Sequence, residues 1–318
     1  MSSKFPVRVA PHYVAEADEA GLGAVDAVRV SDRKSNLWLD AWRDLRGRWV
    51  FWVTSVVILF LIFVAIFPTV FTAEDPRYCI LSRSNGLPEA GHPLGFTKQG
   101  CDVFARIVHG TGTSLSVGII VTALVVIMGV ALGAVAGYFG GWLDSLLMRI
   151  GDMFFAIPYI LAAVVIMSMF LKDRNIWVIS LAIGFFAWPT TARLLRSEVL
   201  RVKQLDFVMA SEALGLRKFR TMFTHVMPNS IAPVIIVSTM GLAGAIVAEA
   251  TLSFLGVGLP TNIFMSWGND ISQAQGSLRT APQTLIYPSI ALSLTVLSFT
   301  LLGETVREAL DPKARATR

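Results

Sequence analysis

Six stretches of this chain are long enough to cross about 30 Å of hydrocarbon as helices, and apart from Glu249 they carry no charge. They cover residues 49–73, 114–143, 153–171, 175–192, 229–248 with an extension to about 258, and 280–303. In lipid a backbone must satisfy its own hydrogen bonds, so the runs read as helices rather than open strands. Overall, 54% of the residues are hydrophobic and 15% charged, too apolar a balance for one soluble core. The predicted fold class is therefore an all-α polytopic membrane protein with six transmembrane helices. A cleavable signal peptide is not expected, because the first thirty residues are polar and the first run is too long.

Lys and Arg collect in three places: Arg33, Lys34, Arg43, Arg46 and Arg48 before the first run; Arg193, Arg196, Arg201, Lys203, Arg217, Lys218 and Arg220 between the fourth and fifth; and Arg307, Lys313, Arg315 and Arg318 after the sixth. Six spans put all three clusters on one side, and basic loops resist translocation, so both termini are expected in the cytoplasm. The net charge of +5 reads as topology plus attraction to anionic lipid. No nucleic acid partner is expected, because the charge is divided among membrane-proximal loops.

Residues 1–34 read as a flexible cytoplasmic tail and 309–318 as a second one. Between them, 35–48 brings Leu37, Trp38, Ala41, Trp42 and Leu45 to one helical face opposite Asp40, Arg43 and Asp44. This predicts an amphipathic helix along the membrane interface with tryptophan anchors. Residues 74–113 form the longest extracytoplasmic loop and hold both cysteines, Cys79 and Cys101. On that side thiols oxidise, so either a disulfide or two buried free thiols is expected. The absence of a C-x-x-C pair argues against a metal site, although His92 and His109 share the loop.

Small residues recur four apart at Gly129, Gly133 and Gly137, and again at Gly241 with Ala245 and Gly244 with Ala248, a spacing that predicts close helix contacts rather than ligands. Charges near the runs are Asp144, Arg149, Asp152, Glu249 and Glu304. Local pairing, such as Arg149 with Asp152 on one face, is expected for those at the interfaces.

The chain carries no G-x-x-x-x-G-K-[ST] loop, no H-E-x-x-H and no G-x-S-x-G, and its four histidines are scattered. No catalytic residues, no metal and no cofactor of its own are therefore expected. Uphill transport would need an ion gradient or an ATP-hydrolysing partner. An ion-driven carrier needs ionisable pairs or broken helices at mid-depth, which these runs do not announce.

The basic segment 205–226 reads as two short helices interrupted at Gly215. Leu205, Val208, Met209 and Glu212 share a face of the first. Phe219, Met222, Phe223 and Val226 follow helical spacing in the second, with Arg217, Lys218 and Arg220 facing elsewhere. Pro228 then opens the fifth run, where a missing N–H costs little. Such a knob either lies on the lipid surface or docks into a cytoplasmic protein.

Gly215, nine residues, His225, one residue, Met227 and Pro228 resembles the coupling signature of ABC importer permeases: Glu-Ala-Ala, three residues, Gly, nine residues, Ile, one residue, Leu, Pro. On that alignment Met209, Ala210 and Ser211 occupy the opening positions, so the usual Glu is absent. "HPLGFTKQGCDVFARIVHGTGTSLSVG" (92–118), "GYFGGWLDSLLMRIGDMFFAIP" (137–158), "WPTTARLLRSEVL" (188–200), "EATLSFLGVGLP" (249–260), "SWG" (266–268) and "LLGETVREALDP" (301–312) are similar to the second permease subunit of dipeptide and oligopeptide importers. Phe96-Thr97-Lys98 and Cys101 depart from that pattern.

The resemblance implies a type I importer permease of the bacterial plasma membrane, with a five-span core over 114–308 and coupling helices at 200–228. It also implies a homologous second permease as heterodimer partner, two cytoplasmic ATPases that hold ATP and Mg, an extracytoplasmic peptide-binding protein, and surrounding membrane lipid. Met209, Ala210, Ser211, Gly215, Arg217, Lys218, Phe219, Met222, Phe223 and Pro228 are the implied ATPase-coupling residues, with Phe219, Met222 and Phe223 as apolar anchors. Glu249, Phe254, Ser266 and Trp267 are candidates for an outer gate or a binding-protein contact. Related importers carry dipeptides, longer peptides, nickel chelates or haem.

Overall fold

The computed structural model describes residues 37–310, and every described element with a regular backbone is helical. The expected tail at 1–34, with Arg33 and Lys34, lies outside the described residues, and so does the tail expected at 309–318, with Lys313, Arg315 and Arg318, apart from Ala309 and Leu310, which are helical and buried. The helices are α1 (Leu37–Arg46), α2 (Trp49–Ile66), α3 (Val103–Phe139), α4 (Gly141–Phe155), α5 (Tyr159–Met169), α6 (Ile176–Lys203), α7 (Asp206–Ala213), α8 (Lys218–Thr221), α9 (Met227–Ser230), α10 (Ala232–Phe254), α11 (Trp267–Ala274) and α12 (Gln283–Leu310). Five of them, α2, α3, α6, α10 and α12, are long and apolar enough to span a membrane, and α4 with α5 makes a sixth span bent by 76°.

Local chemistry moves several boundaries from where the uncharged runs put them. The first span stops at Ile66 rather than 73, because Pro68 opens a separate tight turn. The second starts at Val103 rather than 114, where the Asp102 side chain accepts from the Ala105 amide at 2.6 Å and caps the helix. The third is not one run over 153–171: it begins at Gly141 and breaks before Pro158, which lacks an N–H and pushes its predecessor out of helix. The fourth continues through the basic segment to Lys203, since Arg and Lys are good helix formers once outside hydrocarbon.

The paired helices α3 and α6 form the centre. A Cβ added at Gly129 would lie 2.7 Å from Thr191 Cβ, at Gly133 3.0 Å from Ala192 Cα, and at Gly137 2.9 Å from Val199 Cβ, so only hydrogen fits. The second row of small residues behaves differently. Ala245 and Ala248 are buried, but Gly241 and Gly244 face open space. Both line a cavity of about 200 Å³ between α3, α6 and α10 with Val121, Thr122, Ile183 and Ser238. The expected close helix contact therefore does not occur at those two glycines within this chain.

Beside the central pair, Ile58 and Leu61 of α2, Leu115 of α3, Ile246 of α10 and Phe299 of α12 enclose Trp267 of α11. At the basic end α1 lies on α12 through Ala41, Leu45, Ala309 and Leu310. Arg48 bonds Asp44 at 2.8 Å and also pairs with Glu308. Burial pulls the pKa of Arg48 down, but its bonds to Glu308 and Asp44 more than offset this and hold it above the ordinary value, so the clasp stays charged.

The opposite end carries the loop that joins α2 to α3. Cys79 and Cys101 are disulfide-bonded there, with Cα atoms 4.0 Å apart. Antiparallel bridges at Cys79 with Cys101, Glu89 with His92 and Phe96 with Asp102 knit the loop. The His92 Nδ1 lies 2.6 Å from the second oxygen of Asp102, so the helix cap also holds the loop. Purified under non-reducing conditions, the chain is expected to take up no thiol label until it is reduced and unfolded, as read by mass spectrometry; two labelled cysteines before reduction would refute the bridge.

Candidate functional site

The basic end is built on the continuation of α6. After Lys203 the chain turns at Gln204, and Leu205 starts α7 from an extended backbone. Gly215 has φ +82°, a conformation an L side chain adopts only under strain, and nothing lies within 4 Å of a Cβ placed there. The glycine is thus required for the reversal, not for space. Arg217 then leads into α8, and Met222–Val226 forms a single π-helical turn.

That wide turn sits just before Pro228, which cannot donate to a preceding carbonyl. Side chains take up neighbouring acceptors instead: Asn229 Nδ2 donates to His225 O at 2.7 Å and Ser230 Oγ to Val226 O at 2.9 Å. From Lys218 to Phe254 the chain is therefore nearly continuous helix, broken only at Ile231.

The knob has an inner and an outer face. Val208, Met222 and Val226 pack with Ala134, Tyr138, Leu195, Val199 and Val202 on the ends of α3 and α6. Met222 is therefore no docking anchor: it is 3% exposed, because its position on the helix turns it toward the chain's own core. Ser211 is buried as well and donates to Val208 O at 2.7 Å. Phe219 and Phe223, four residues apart, are each 63% exposed and share an outer face. Met209, Ala210, Gly215, Arg217 and Lys218 are also exposed, and Arg220 with them. The reading from sequence missed Leu214 and Phe207, which add to the exposed apolar surface. Leu214 sits next to Gly215, and a large apolar residue beside a helix-ending glycine was the available signal.

Ion pairs brace the same end. Asp144 of α4 takes Arg196 of α6 in a two-pronged contact of 2.5 and 2.6 Å, and Asp152 pairs with Arg193. The expected local pair of Arg149 with Asp152 gives way to these, because the α4 carboxylates face α6 across a helix contact. Glu304 does pair locally, with Arg307 at 3.8 Å.

At the disulfide end the remaining candidates converge on one buried cluster. Glu249, Ser266 and Trp267 are fully buried, while Phe254 is about half exposed. Oε1 of Glu249 accepts from Ser253 Oγ at 2.9 Å and Ser266 Oγ at 2.8 Å, and Ser266 Oγ also accepts from the Asn269 amide, capping α11. Trp267 donates its indole N–H to Ile107 O at 3.1 Å. One turn of α11 beyond Trp267, Asp270 Oδ1 accepts from Arg106 Nε of α3 at 2.6 Å. These side chains bind α11 to α3 and α10, and in this conformation Glu249, Ser266 and Trp267 offer no surface to another protein. The Arg106–Asp270 pair was not anticipated, since its members are 164 residues apart and neither lies in an uncharged run.

Residues 129–316 match the family model described as "Binding-protein-dependent transport system inner membrane component". Among similar proteins, the dipeptide transport system permease protein DppC of Alkalihalophilus pseudofirmus is 36% identical over 281 residues, covering 88% of this chain and 91% of its own length. The oligopeptide transport system permease protein OppC of Bacillus subtilis is 32% identical over 298 residues, 94% of this chain and 97% of its own. The glutathione transport system permease protein GsiD of Pectobacterium atrosepticum is 34% identical over 280 residues, 88% and 92% respectively. Matched over more than half its length by one family model, and over most of it by permeases at 32 to 36% identity, this chain belongs to the family of inner membrane components of binding-protein-dependent transport systems.

Proposed function

We propose that the chain is one of two permease subunits of an ATP-driven importer for small peptides, and that the basic knob is where ATP hydrolysis in partner subunits reaches the membrane helices. The cargo class is supported by the names of the relatives, which specify dipeptide, oligopeptide and glutathione transport. The single observation that carries the coupling role is the outer face of the knob. Phe219, Phe223, Leu214 and Met209 are all exposed on these two short helices, as are Arg217, Lys218 and Arg220. A surface-lying helix would present apolar residues along one line, whereas this face belongs to two helices reversed about Gly215 and suits a groove in a soluble partner.

On this reading the basic end is cytoplasmic, the disulfide-closed loop faces the binding protein, and a homologous permease completes the pathway. Phe219 and Phe223 anchor in one of two ATPases, the arginines meet acidic or polar rim groups, and ATP and Mg reside in those partners. Closure of the ATPases then pushes the knob as a unit, and α9 passes the motion to α10. Glu249, Ser266 and Trp267 serve the opposite end by fixing α11, and Phe254 is left as the candidate for contact or gating there.

Cysteine cross-linking in membranes holding the whole assembly tests the coupling. Phe219→Cys is expected to link to a scanned ATPase surface, with a yield that changes on ATP binding. Labelling of that cysteine by lipid-phase probes, with no cross-link to any ATPase, would mean that the knob rests on the membrane.

A further inference from the structure

The last two residues of α3 are held by both helices of the knob. Tyr138, a buried side chain, bonds through its hydroxyl to Glu212 Oε1 of α7 at 3.0 Å. Phe139 meets the ring of Phe219 of α8 at a centroid distance of 5.2 Å. Lys203, in the last turn of α6, donates to the Tyr138 carbonyl at 2.7 Å and stands 5.2 Å over the same ring. It thereby satisfies one of the carbonyls that a helix end leaves free. Immediately beyond, Gly140 and Gly141 have φ +66° and +61°, with no atom within 4 Å of a Cβ placed on either.

Toward the knob, α3 is gripped by a charged hydrogen bond and a ring contact on its last two residues, while Lys203 of α6 caps the same end. Toward α4 it ends in two consecutive glycines at positive φ, and the Gly140 amide and carbonyl are bonded to Ala136 and Asp144. Displacement of the knob is thereby passed into α3, and α4, paired to α6 through Asp144–Arg196 and Asp152–Arg193, moves with the central pair. The exposed carboxylate of Glu212 would otherwise be fully hydrated. Bonding it to a buried phenol serves the geometry of α7 against α3.

We infer that Tyr138 and Glu212 form a latch through which the knob moves α3, so that ATP-driven displacement reaches the second span directly and not only the fifth through Pro228. The inference rests on the coupling reading above. It makes Tyr138 a positioning residue for transport: it lies on the inner side of the knob, away from the exposed Phe219 and Phe223 face. Because α3 is fused to α6 by the glycine row, the latch engages the central helix pair as one body.

The test uses the complete assembly, with both permeases, both ATPases and the binding protein, in sealed vesicles, and follows trialanine uptake and ATP hydrolysis together. Tyr138→Phe removes one hydroxyl and leaves the ring. Uptake per ATP hydrolysed is expected to fall about tenfold, the scale of losing a hydrogen bond to a charged group, while the Phe219→Cys cross-link to the ATPase persists. Glu212→Ala is expected to fall equally and the double variant no further, since both remove the same bond. Glu212→Gln, which keeps an acceptor oxygen, is expected to recover most of the ratio. If Tyr138→Phe lowers the yield of assembled complex, Glu212→Ala carries the decision, because its side chain is exposed. An unchanged uptake-to-ATP ratio in both single variants, with the cross-link intact, overturns the latch and leaves the coupling reading standing. Absence of the cross-link in the assembly that carries Phe219→Cys as its one substitution overturns both.

Discussion

Replacing Arg106 with alanine is expected to lower the stability of the folded chain by about 3–5 kcal/mol, the usual result of stripping one member from a buried ion pair. Arg106 is 4% exposed and Asp270 7%, so water cannot take over the abandoned carboxylate. The pair also joins α3 to α11, elements that otherwise meet through the bonds of Trp267 to Ser114 and Ile107. Thermal unfolding of the purified permease in detergent, followed by tryptophan fluorescence, measures the loss. Arg106→Lys is expected to recover only part of it, because an ammonium cannot reproduce the guanidinium fork. Arg106→Leu combined with Asp270→Leu removes both charges and is expected to sit well above the single variant. A single alanine variant within about 1 kcal/mol of the parent would show that solvent reaches the pair.

Gly133→Ala is expected to be nearly as damaging, although it adds one methyl group. The new Cβ would meet the Ala192 Cα at 3.0 Å and the Ala192 carbonyl oxygen closer still, and neither backbone atom can rotate away. Helices α3 and α6 must separate along their length, with a cost of about 1–3 kcal/mol for overpacking and more for Gly133→Leu. Gly241→Ala supplies the comparison within the same fold. Its Cβ meets nothing within 4 Å, so the change is expected to be neutral or to stabilise by up to about 1 kcal/mol through helix propensity. Thermal midpoints and yields of folded protein for the two variants measure the difference. Equal behaviour would mean that α3 and α6 are not in backbone contact at Gly133.

Those two glycines also show what the sequence discloses and what it withholds. A four-residue spacing of small residues announces a close helix approach, because only that need preserves a bare backbone at one face. It does not announce the partner. Gly129, Gly133 and Gly137 found α6 within the chain, whereas Gly241 and Gly244 line a cavity. The knob was legible for a similar reason: Gly215 and Pro228 each answer a backbone requirement that can be read locally. The inward turn of Met222 was not, since apolar periodicity marks a buried face without saying whether the burial is against the chain itself or another protein. The break at Pro158 had a visible cause, but composition alone treats a bent pair and a straight span alike. Tyr138 with Glu212, Arg106 with Asp270 and Asp144 with Arg196 are separated by 74, 164 and 52 residues, so no local pattern joins them.

Helix α6 runs for 28 residues, about 42 Å at 1.5 Å per residue, against about 30 Å of hydrocarbon. What stands out of the membrane at its basic end is therefore rigid rod and not loop, and the knob is mounted on that rod after a single turn. A rod of this kind sets angle together with height. One residue added ahead of Lys203 would rotate everything beyond it by about 100° and lift it by about 1.5 Å. Phe219 and Phe223 would then turn to another side, and the contacts of the knob with Tyr138 and Phe139 would be lost. Such a stalk keeps phase only when it is lengthened by close to whole turns, about seven residues for two turns or about eleven for three, so the height of the knob is quantised by the helix that carries it.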